Sequence, residues 1–390
     1  MHDRVLIVGA GPVGLVAAAS LLRHGIPVTV LEAEADLSTE SRASTFHPPT
    51  LDMLAELSVL QPLLDQGLIA PKFQYRSRGV MATFDFGFIA DATRHAYRVQ
   101  CEQSKLTRIV LDKLGSDGNF EIEFSSPVRG VAIGSGGAEI TIDRHGKTEK
   151  RSYPWVIGAD GARSNVRNSL GIPFEGFTWP ERYLVVSTSF DFTKVIPDLV
   201  SVSYVADPQR WYFLLQIPGL WRVMFRIAAE ESDELALSHA FTQRSMSGIS
   251  PEIDSVEVTH TTLYRVHQRV AGTYRKDRVF IVGDAAHVNN PLGGMGMNGG
   301  IHDALNLTER LADVCYGRKP EKELDRYDAQ RRSITKEHVE KQSIQNKKNL
   351  ENPNEFGARL RDVVSDPQRT YDYLIGVSMI GSLRRAEQLG

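Results

Sequence analysis

A glycine-rich turn close to the N-terminus has the residue types and spacing that suit phosphate binding. Gly9, Gly11 and Gly14 follow the β-branched run 4–8 and lead into an alanine-rich segment. In such a turn, Gly9 permits the tight bend, Gly11 lets the backbone approach a pyrophosphate, and Gly14 lets helix and strand pack closely. Pro12 stands where a first helical turn tolerates proline, and the N-terminus of that helix attracts phosphate charge.

An acidic residue completes this first pattern. A second strand-like run, 27–31, ends at Glu32, which is placed to accept hydrogen bonds from the ribose of an adenosine. A carboxylate there would repel a 2′-phosphate, so NADP is disfavoured at this site. The order of strand, glycine turn, helix, strand and acid predicts a dinucleotide-binding βαβ unit, but it does not choose between FAD and NAD.

Two distant segments repeat the arrangement of a strand that ends in glycine and aspartate. The strand-like run 155–158 continues into Ala159, Asp160 and Gly161, and a helix with Ser164 as its cap should follow. The run 278–282 ends at Gly283 and Asp284, and a glycine-rich loop leads to a helix predicted over about 299–315. Strand ends of this kind are where α/β proteins bind nucleotides.

Together the three motifs resemble those of the single-component flavin aromatic hydroxylases of the para-hydroxybenzoate hydroxylase type, the class A flavoprotein monooxygenases. The resemblance implies an α/β fold in which a Rossmann-like FAD-binding domain carries an inserted, mainly antiparallel β-sheet substrate domain and C-terminal helices. It implies a FAD-binding domain over 1–70, 100–180 and 277–320, a substrate domain over 71–99 and 181–276, and C-terminal helices over 321–390.

The same resemblance implies a tightly but non-covalently bound FAD. The residues expected to contact it are Gly9, Gly11, Pro12, Gly14, Glu32, Arg42, Gln103, Val128, Asp160, Asp284, Pro291, Gly296, Met297 and Asn298. Arg42 and Gln103 would flank the pyrophosphate and ribityl chain, and Asp284 would hold a ribityl hydroxyl. Pro291 would line the flavin ring, whose pyrimidine edge would meet Met297 and the residue after it.

The segment between the second and third motifs is rich in aromatic and β-branched residues, which indicates strands. We expect strands over 183–192, 199–205, 211–217 and 221–227, with further strands over 75–86 and 96–100, and the resemblance implies that they form one sheet that covers the flavin. The candidate catalytic or substrate-contacting residues are His47, His95, Tyr97, Tyr204, Arg210, Tyr212, Arg222, Arg226 and Pro291. Strand alternation places Arg222 and Arg226 on one face, where they could clamp a carboxylate or simply lie in solvent.

The resemblance implies a function as well. NAD(P)H would reduce FAD, O₂ would form a flavin C4a-hydroperoxide, and its distal oxygen would hydroxylate a small phenolic or acidic aromatic ring. The chain has one dinucleotide fingerprint, so the nicotinamide would dock without a Rossmann unit of its own. The alternatives are a FAD-dependent reductase or dehydrogenase, a halogenase, and a non-catalytic FAD-binding protein; the Trp-x-Trp-x-Ile-Pro segment of halogenases lacks its second tryptophan at 211–218.

Composition restricts the choice of partners. The formal net charge of -3 does not favour nucleic acid or an anionic membrane surface. Cys101 and Cys315 lie far apart in sequence, so neither a disulfide framework nor a cysteine metal site is encoded, and no metal is expected. We therefore expect a cytoplasmic enzyme with a small aromatic substrate, and a homodimer is possible through the polar C-terminal helices.

Overall fold

A computed structural model describes residues 4–40, 43–77, 80–144, 146–207 and 211–389. The strands are β1 (Val5–Val8), β2 (Val28–Leu31), β3 (Thr45–Phe46), β4 (Leu68–Ala70), β5 (Lys72–Ser77), β6 (Val80–Asp85), β7 (Arg98–Gln100), β8 (Phe120–Glu123), β9 (Val128–Gly134), β10 (Gly137–Arg144), β11 (Lys147–Tyr153), β12 (Trp155–Gly158), β13 (Phe174–Thr188), β14 (Val202–Val205), β15 (Tyr212–Ile217), β16 (Leu220–Ile227), β17 (Val258–Ala271), β18 (Arg275–Lys276), β19 (Val279–Ile281) and β20 (His287–Val288). The helices are α1 (Pro12–Arg23), α2 (Pro48–Glu56), α3 (Leu60–Gln66), α4 (Gln103–Leu114), α5 (Asn165–Ser169), α6 (Asp233–Leu237), α7 (His239–Ser247), α8 (Gly296–Cys315), α9 (Asp325–Ile334), α10 (Lys341–Glu351), α11 (Pro353–Val364), α12 (Pro367–Val377) and α13 (Ile380–Glu387).

A six-stranded, mostly parallel sheet forms the centre of the nucleotide-binding part, in the order β18-β19-β12-β1-β2-β8. Strand β1 pairs in parallel with both β2 and β12, and β12 pairs in parallel with β19. All four residues of β1, β2 and β12 are buried, as expected for parallel strands that helices cover on both faces. Helix α1 packs against β1 and β2 and also against α4 and α8.

An eight-stranded, mainly antiparallel sheet forms the second layer, in the order β20-β17-β13-β16-β15-β14-β5-β6. One face, the inner face, packs into a core with aromatic side chains from β5, β13, β14 and β15, here called the inner core. The opposite face packs into a separate core with α6 and α7, here called the outer core. The mixed α/β class, with an antiparallel sheet added to a Rossmann-like unit, is confirmed.

One prediction about the covering sheet is wrong. The segment 96–100 does not join it, because its strand, β7, pairs with β3 and β4 in a separate three-stranded sheet. The segment 75–86 does lie in the covering sheet: it spans the end of β5 and all of β6, which pair with each other at one edge. Alternation identifies strands but does not choose their neighbours; the paired residues Gln74 of β5 and Ser203 of β14, for example, lie 129 residues apart in sequence.

Helix α8 begins three residues earlier than the glycine-rich sequence suggests. Gly296, Met297, Asn298 and Gly299 form its first turn, so this turn is helical even though glycine weakens helices. The C-terminal region consists of helices, as expected, with a π-helical turn over Thr335–Glu340. Helix α11 packs on β5 and β6, and α12 packs on the 3₁₀ helix Phe86–Ile89. No helix within the described ranges is long and apolar enough to cross a membrane.

Candidate active site at three strand ends

The three sequence motifs meet at one edge of the parallel sheet. Strands β1, β12 and β19 are neighbours and run in the same direction, so their carboxyl ends lie side by side. Backbone hydrogen bonds join the motifs directly: Ala159 N donates to Val8 O at 2.8 Å, and Val282 N donates to Gly158 O at 2.9 Å. Sheets of this kind bind ligands in the crevice beyond the carboxyl ends of their strands.

The first glycine turn is shaped to leave an open ledge. Gly9 has a φ of +104°, and a Cβ there would lie 2.5 Å from Ala159 O. A Cβ on Gly14 would lie 2.0 Å from Gly9 O, so both positions exclude a side chain. Among the residues that the structure describes, nothing lies within 4 Å of a Cβ placed on Gly11, and no side chain caps the N-terminus of α1. Unpaired helix amides beside open space are what a pyrophosphate needs.

The carboxylate of Glu32 is held against this turn. Its Oε2 accepts a hydrogen bond from Ala10 N at 2.7 Å, and its Oε1 accepts one from Glu34 N at 3.0 Å. The side chain of Val128 is buried at the start of β9, and its carbonyl accepts from Asn165 Nδ2 at 2.8 Å. The carboxylate of Glu32 is therefore fixed beside the glycine turn, where a nucleoside can contact it. Val128 is joined by its hydrogen bond to the helix of the second motif.

The carboxylate of Asp160 hydrogen-bonds to neighbouring groups of the chain. It accepts hydrogen bonds from Ser164 Oγ at 2.5 Å and from Val166 N at 3.0 Å, and burial raises its pKa. Ser164 in turn caps α5 by accepting from Arg167 N at 2.9 Å, as the sequence predicted. The second motif therefore fixes the turn between β12 and α5.

The third motif brings α1 and α8 close together. Gly283 has a φ of +58°, and a Cβ there would meet the Val13 side chain at 3.0 Å. A Cβ on Gly300 would meet the same side chain at 2.6 Å. Asp284 is exposed beside this contact, at the end of β19, which leaves its side chain on the crevice edge of the sheet.

The side chain of Asn298 ties together two loops and is completely buried. Its Nδ2 donates to Thr45 O at 2.8 Å and to Gly294 O at 2.7 Å, and its Oδ1 accepts from His47 N at 2.9 Å. These bonds occupy the amide group, so the part of Asn298 that remains for a ligand is its backbone N–H in the first turn of α8.

His47 supports the loop that carries Pro291, which is itself exposed. Its Nε2 donates to Gly293 O at 2.8 Å, since a carbonyl oxygen can only accept. Burial, together with the charge of Arg98, lowers the pKa of His47 well below its ordinary value. The imidazole is therefore neutral near pH 7, which fits a structural link better than a proton carrier.

The two candidate tyrosines lie on opposite faces of the eight-stranded sheet. Tyr204 is buried in the inner core, where its ring stacks on Tyr75 at 5.0 Å and lies 5.7 Å from Phe213. Tyr212 packs on Phe225 in the outer core, and burial raises its pKa to about 12. Only Tyr204 belongs to the face that packs toward the third motif.

Arg222 and Arg226 share one face of β16 with Met224, as alternation predicted, while Val223 and Phe225 enter the outer core. Each guanidinium already faces a carboxylate: Arg222 Nη2 lies 2.6 Å from Glu102, and Arg226 Nη2 lies 3.4 Å from Glu181. Glu102 precedes Gln103, whose N–H donates to Ala43 O at 3.0 Å. The arginines are therefore linked to the chain rather than free for a ligand.

The remaining candidates fall outside the cluster or outside the described residues. His95 Nδ1 lies 2.6 Å from Asp52 Oδ1, and its neighbour Tyr97 is partly buried. Arg42 and Arg210 are not among the described residues. Sequence reasoning missed Arg98, a buried arginine whose guanidinium lies 4.8 Å from the ring centre of Phe73. No signal in the sequence pointed to it, because Arg98 and Gln100 alternate with Val99 in the way that polar residues of a half-exposed strand do.

Comparison with known proteins decides the family. Residues 3–342 match the FAD binding domain family. The chain is 35% identical over 339 residues to the para-nitrophenol 4-monooxygenase of Pseudomonas sp. strain WBC-3, covering 85% of this chain and 83% of that protein. The chain belongs to the class A FAD-dependent aromatic hydroxylases.

Two further similarities cover almost the whole hydroxylase. It is 34% identical over 387 residues to the 6-hydroxy-3-succinoylpyridine 3-monooxygenase of Pseudomonas putida strain S16, covering 96% of this chain and 97% of that one. The crystal structure of p-nitrophenol 4-monooxygenase from Pseudomonas putida DLL-E4 superposes with a TM-score of 0.90 at 28% identity, covering 96% and 97% of the two chains. The hydroxylase is therefore a flavoenzyme, an oxidoreductase with the fold of aromatic monooxygenases.

The chemistry of the crevice fits FAD in this hydroxylase. An open ledge at Gly11 next to the amides of α1 suits a pyrophosphate, and the carboxylate of Glu32 suits ribose hydroxyls. The N-terminus of α8 suits an electron-rich ring edge, because its amides and dipole favour negative charge by about 0.3–2 kcal/mol. These groups surround one crevice at the carboxyl edge of one sheet.

Proposed function

We propose that this flavoenzyme hydroxylates a small phenolic or acidic aromatic compound with NAD(P)H and O₂. The observation that carries the proposal is that the loop of the third motif packs against the aromatic inner face of the eight-stranded sheet: Leu292 enters the core of that face, and Asn290 Nδ2 donates to the Tyr183 hydroxyl at 2.9 Å. Tyr75, Tyr204 and Phe213 form part of that face. The names of the two relatives also support a ring with a phenolic or acidic group, since they act on a nitrophenol and a hydroxylated succinoylpyridine.

Each part of the crevice has a proposed task. Gly9, Gly11, Pro12, Gly14 and Glu32 hold the adenosine diphosphate half of FAD, with Val128 and Asp160 on its borders. Gln103 and Asp284 meet the ribityl chain, Pro291 lines the ring, and the amides of Gly296, Met297 and Asn298 meet its pyrimidine edge. When bound, FAD supplies hydride acceptance from NAD(P)H and activation of O₂ at its C4a position.

The chain itself positions the ring and excludes water. Tyr204 and its aromatic neighbours form a wall that is buried and apolar, which suits a planar substrate. Exclusion of water protects a reactive oxygen donor from premature decay. The neutral His47 fixes the loop of Pro291, so the flavin and the wall keep a constant separation.

Steady-state assays with a panel of phenols and aromatic acids test this function. We expect a ligand that accelerates NADH or NADPH oxidation, consumes O₂ and appears as a product with one added oxygen. A holoenzyme that converts NAD(P)H and O₂ only to hydrogen peroxide with every ring would contradict the proposal. Product formed without O₂ consumption would instead indicate the reductase or dehydrogenase alternative.

A further inference from the structure

We propose that Arg98 and Gln100 form the site that receives the anionic oxygen of the substrate, an ionised phenol or a carboxylate. This inference rests on the proposed function and names the residues that select the substrate. Both residues lie on the same face of β7, two positions apart, while Val99 between them points into the nucleotide-domain core.

Arg98 is a buried cation without a carboxylate partner among the described residues. Arg98 is only 3% exposed, and its Nε and Nη1 have no hydrogen-bond partner in the described part of the chain. Phe73 and Phe86 provide its nearest favourable contacts, with ring centres 4.8 Å and 5.2 Å from the guanidinium carbon. Buried charges are normally paired, so an unpaired guanidinium indicates a partner that the described residues do not supply.

Gln100 adds a second unused donor beside it. The residue is completely buried, and its Oε1 accepts from Thr45 Oγ1 at 2.9 Å. Its Nε2 has no partner among the described residues. The unused atoms on this face are therefore all N–H donors, a set that suits an anionic oxygen and not a cation.

The position of these donors places them at the predicted flavin edge. Thr45, which bonds Gln100, also accepts through its carbonyl from the Asn298 amide in the first turn of α8. The charge of Arg98 contributes to the lowered pKa of His47, and His47 hydrogen-bonds to the loop of Pro291. Phe73, over which the Arg98 guanidinium lies, has its ring centre 5.8 Å from that of Tyr75, whose ring stacks on Tyr204 of the aromatic wall.

Such a site would contact both the charged group and the aromatic ring of the substrate. Its anionic oxygen would accept hydrogen bonds from the flat guanidinium and the glutamine amide, while its ring would lie against the aromatic wall. The site would discriminate against a neutral analogue, which leaves the buried cation unpaired. Hydroxylation requires an electron-rich ring, and a phenolate bound in its ionised form meets that requirement.

Ligand titration of the purified holoenzyme, followed by changes in flavin absorbance or fluorescence, tests the inference without turnover. The probes are two matched pairs: 4-nitrophenolate with 4-nitroanisole, and benzoate with benzamide. We expect the wild type to prefer one anion over its neutral partner. Arg98→Met should weaken that anion about 10- to 100-fold and leave the neutral partner nearly unchanged. The pair that shows the preference distinguishes a phenolate site from a carboxylate site.

Three further variants keep the test decisive. Arg98→Lys should retain the preference with reduced affinity, because the charge remains but the planar fork is lost; it also serves if Arg98→Met folds poorly. Gln100→Leu should weaken the anion to a smaller degree. Arg129→Met, an exposed arginine on β9, should change nothing.

Three results would overturn the inference. The first is a wild type that binds anion and neutral analogue equally or binds neither. The second is a preference that survives Arg98→Met. The third is an equal loss of FAD affinity in that variant, which would assign Arg98 to the cofactor. A tight anion that depends on Arg98 but is never oxygenated would contradict the proposed function alone.

Discussion

At the scale of single residues, several site residues use their side chains to hydrogen-bond to other parts of the protein. Asn298 shows this most clearly, because its side-chain amide bonds Thr45 O and His47 N, which lie 253 and 251 positions earlier in the chain, as well as the nearby Gly294 O. Asp160 and His47 likewise hydrogen-bond to nearby backbone and thereby fix the loops of the second and third motifs. Their contribution to FAD binding is then one of preorganisation.

Replacement of Asn298 by alanine tests this role. The change leaves buried backbone groups of His47 and Thr45 unsatisfied, so we expect the free energy of unfolding to fall by about 1–3 kcal/mol or more. The affinity for FAD should fall as well, since the two loops lose their connection. Urea denaturation and FAD titration measure both effects. The exposed Asn119→Ala variant should stay within about 0.5 kcal/mol of the wild type; unaltered FAD affinity in Asn298→Ala would contradict the preorganising role.

What the sequence could predict at this scale was residue type and motif membership. Gly9, Glu32 and Asp284 lie close to strand ends as expected, because each follows its strand along the chain by one to three residues. Arg98 and the double role of Asn298 could not be predicted, since an unpaired donor is visible only when every neighbour in space is known. The same holds for Tyr204 and Tyr212, whose faces depend on a strand register that alternation does not fix.

At the scale of elements, the glycine turn before helix α1 shows which glycine is needed for packing and which one leaves space for a ligand. Gly14 is required for the turn and helix to pack, because a Cβ would lie 2.0 Å from Gly9 O. Gly11 is not required for packing, because a Cβ there meets nothing within 4 Å, and its φ of -68° is open to other residues. Space that the fold leaves unused at this point is therefore space for the ligand.

A pair of substitutions separates folding from binding. We expect Gly11→Val to keep the stability of the apoprotein within about 1 kcal/mol while reducing FAD affinity strongly, because the side chain occupies the pyrophosphate ledge. Gly14→Val should instead lower the melting temperature of the apoprotein itself or prevent folding. Calorimetry of the apoprotein and FAD titration distinguish the two. A Gly11→Val protein that binds FAD like the wild type would place the pyrophosphate elsewhere.

Helices α2 and α8 are joined through a buried histidine that makes the fold sensitive to pH. His302 Nε2 lies 2.9 Å from Thr50 Oγ1, and burial lowers the pKa of His302 to about 3. The unfolded chain, with an ordinary histidine pKa of about 6.5, binds this proton first as the pH falls. Stability from the neutral imidazole is therefore complete above about pH 6.5 and is lost progressively toward pH 3.

The slope of stability against pH measures this effect. Between pH 6 and pH 4, His302 alone should remove about 1.4 kcal/mol of unfolding free energy per pH unit. His302→Gln should make the dependence shallower by about one bound proton, whereas the exposed His239→Gln should leave it unchanged. Urea denaturation at half-unit intervals gives the slopes. Identical slopes for wild type and His302→Gln would contradict a neutral buried imidazole.

At the scale of the whole molecule, two sheets of different construction cooperate. The parallel sheet brings three remote strand ends to one edge, and the antiparallel sheet provides an aromatic face. A buried network joins the third motif to the C-terminal helices: Asp303 contacts His287 and Arg331 at 2.7 Å each. Fold class and motif convergence could be predicted from the sequence because they follow from local strand–turn–helix signals. The partition of β7 into its own sheet could not, since pairing is a long-range property.

The measurement that tests the central claim most directly is a titration of the purified apoprotein with FAD, followed by its absorbance spectrum and by calorimetry. Because three strand ends of one chain surround one crevice, we predict a saturable uptake of one FAD per chain, a yellow protein with a perturbed flavin spectrum, and a melting temperature that rises with FAD concentration. A folded chain that stays colourless at saturating FAD, with an unchanged melting temperature, would contradict the account.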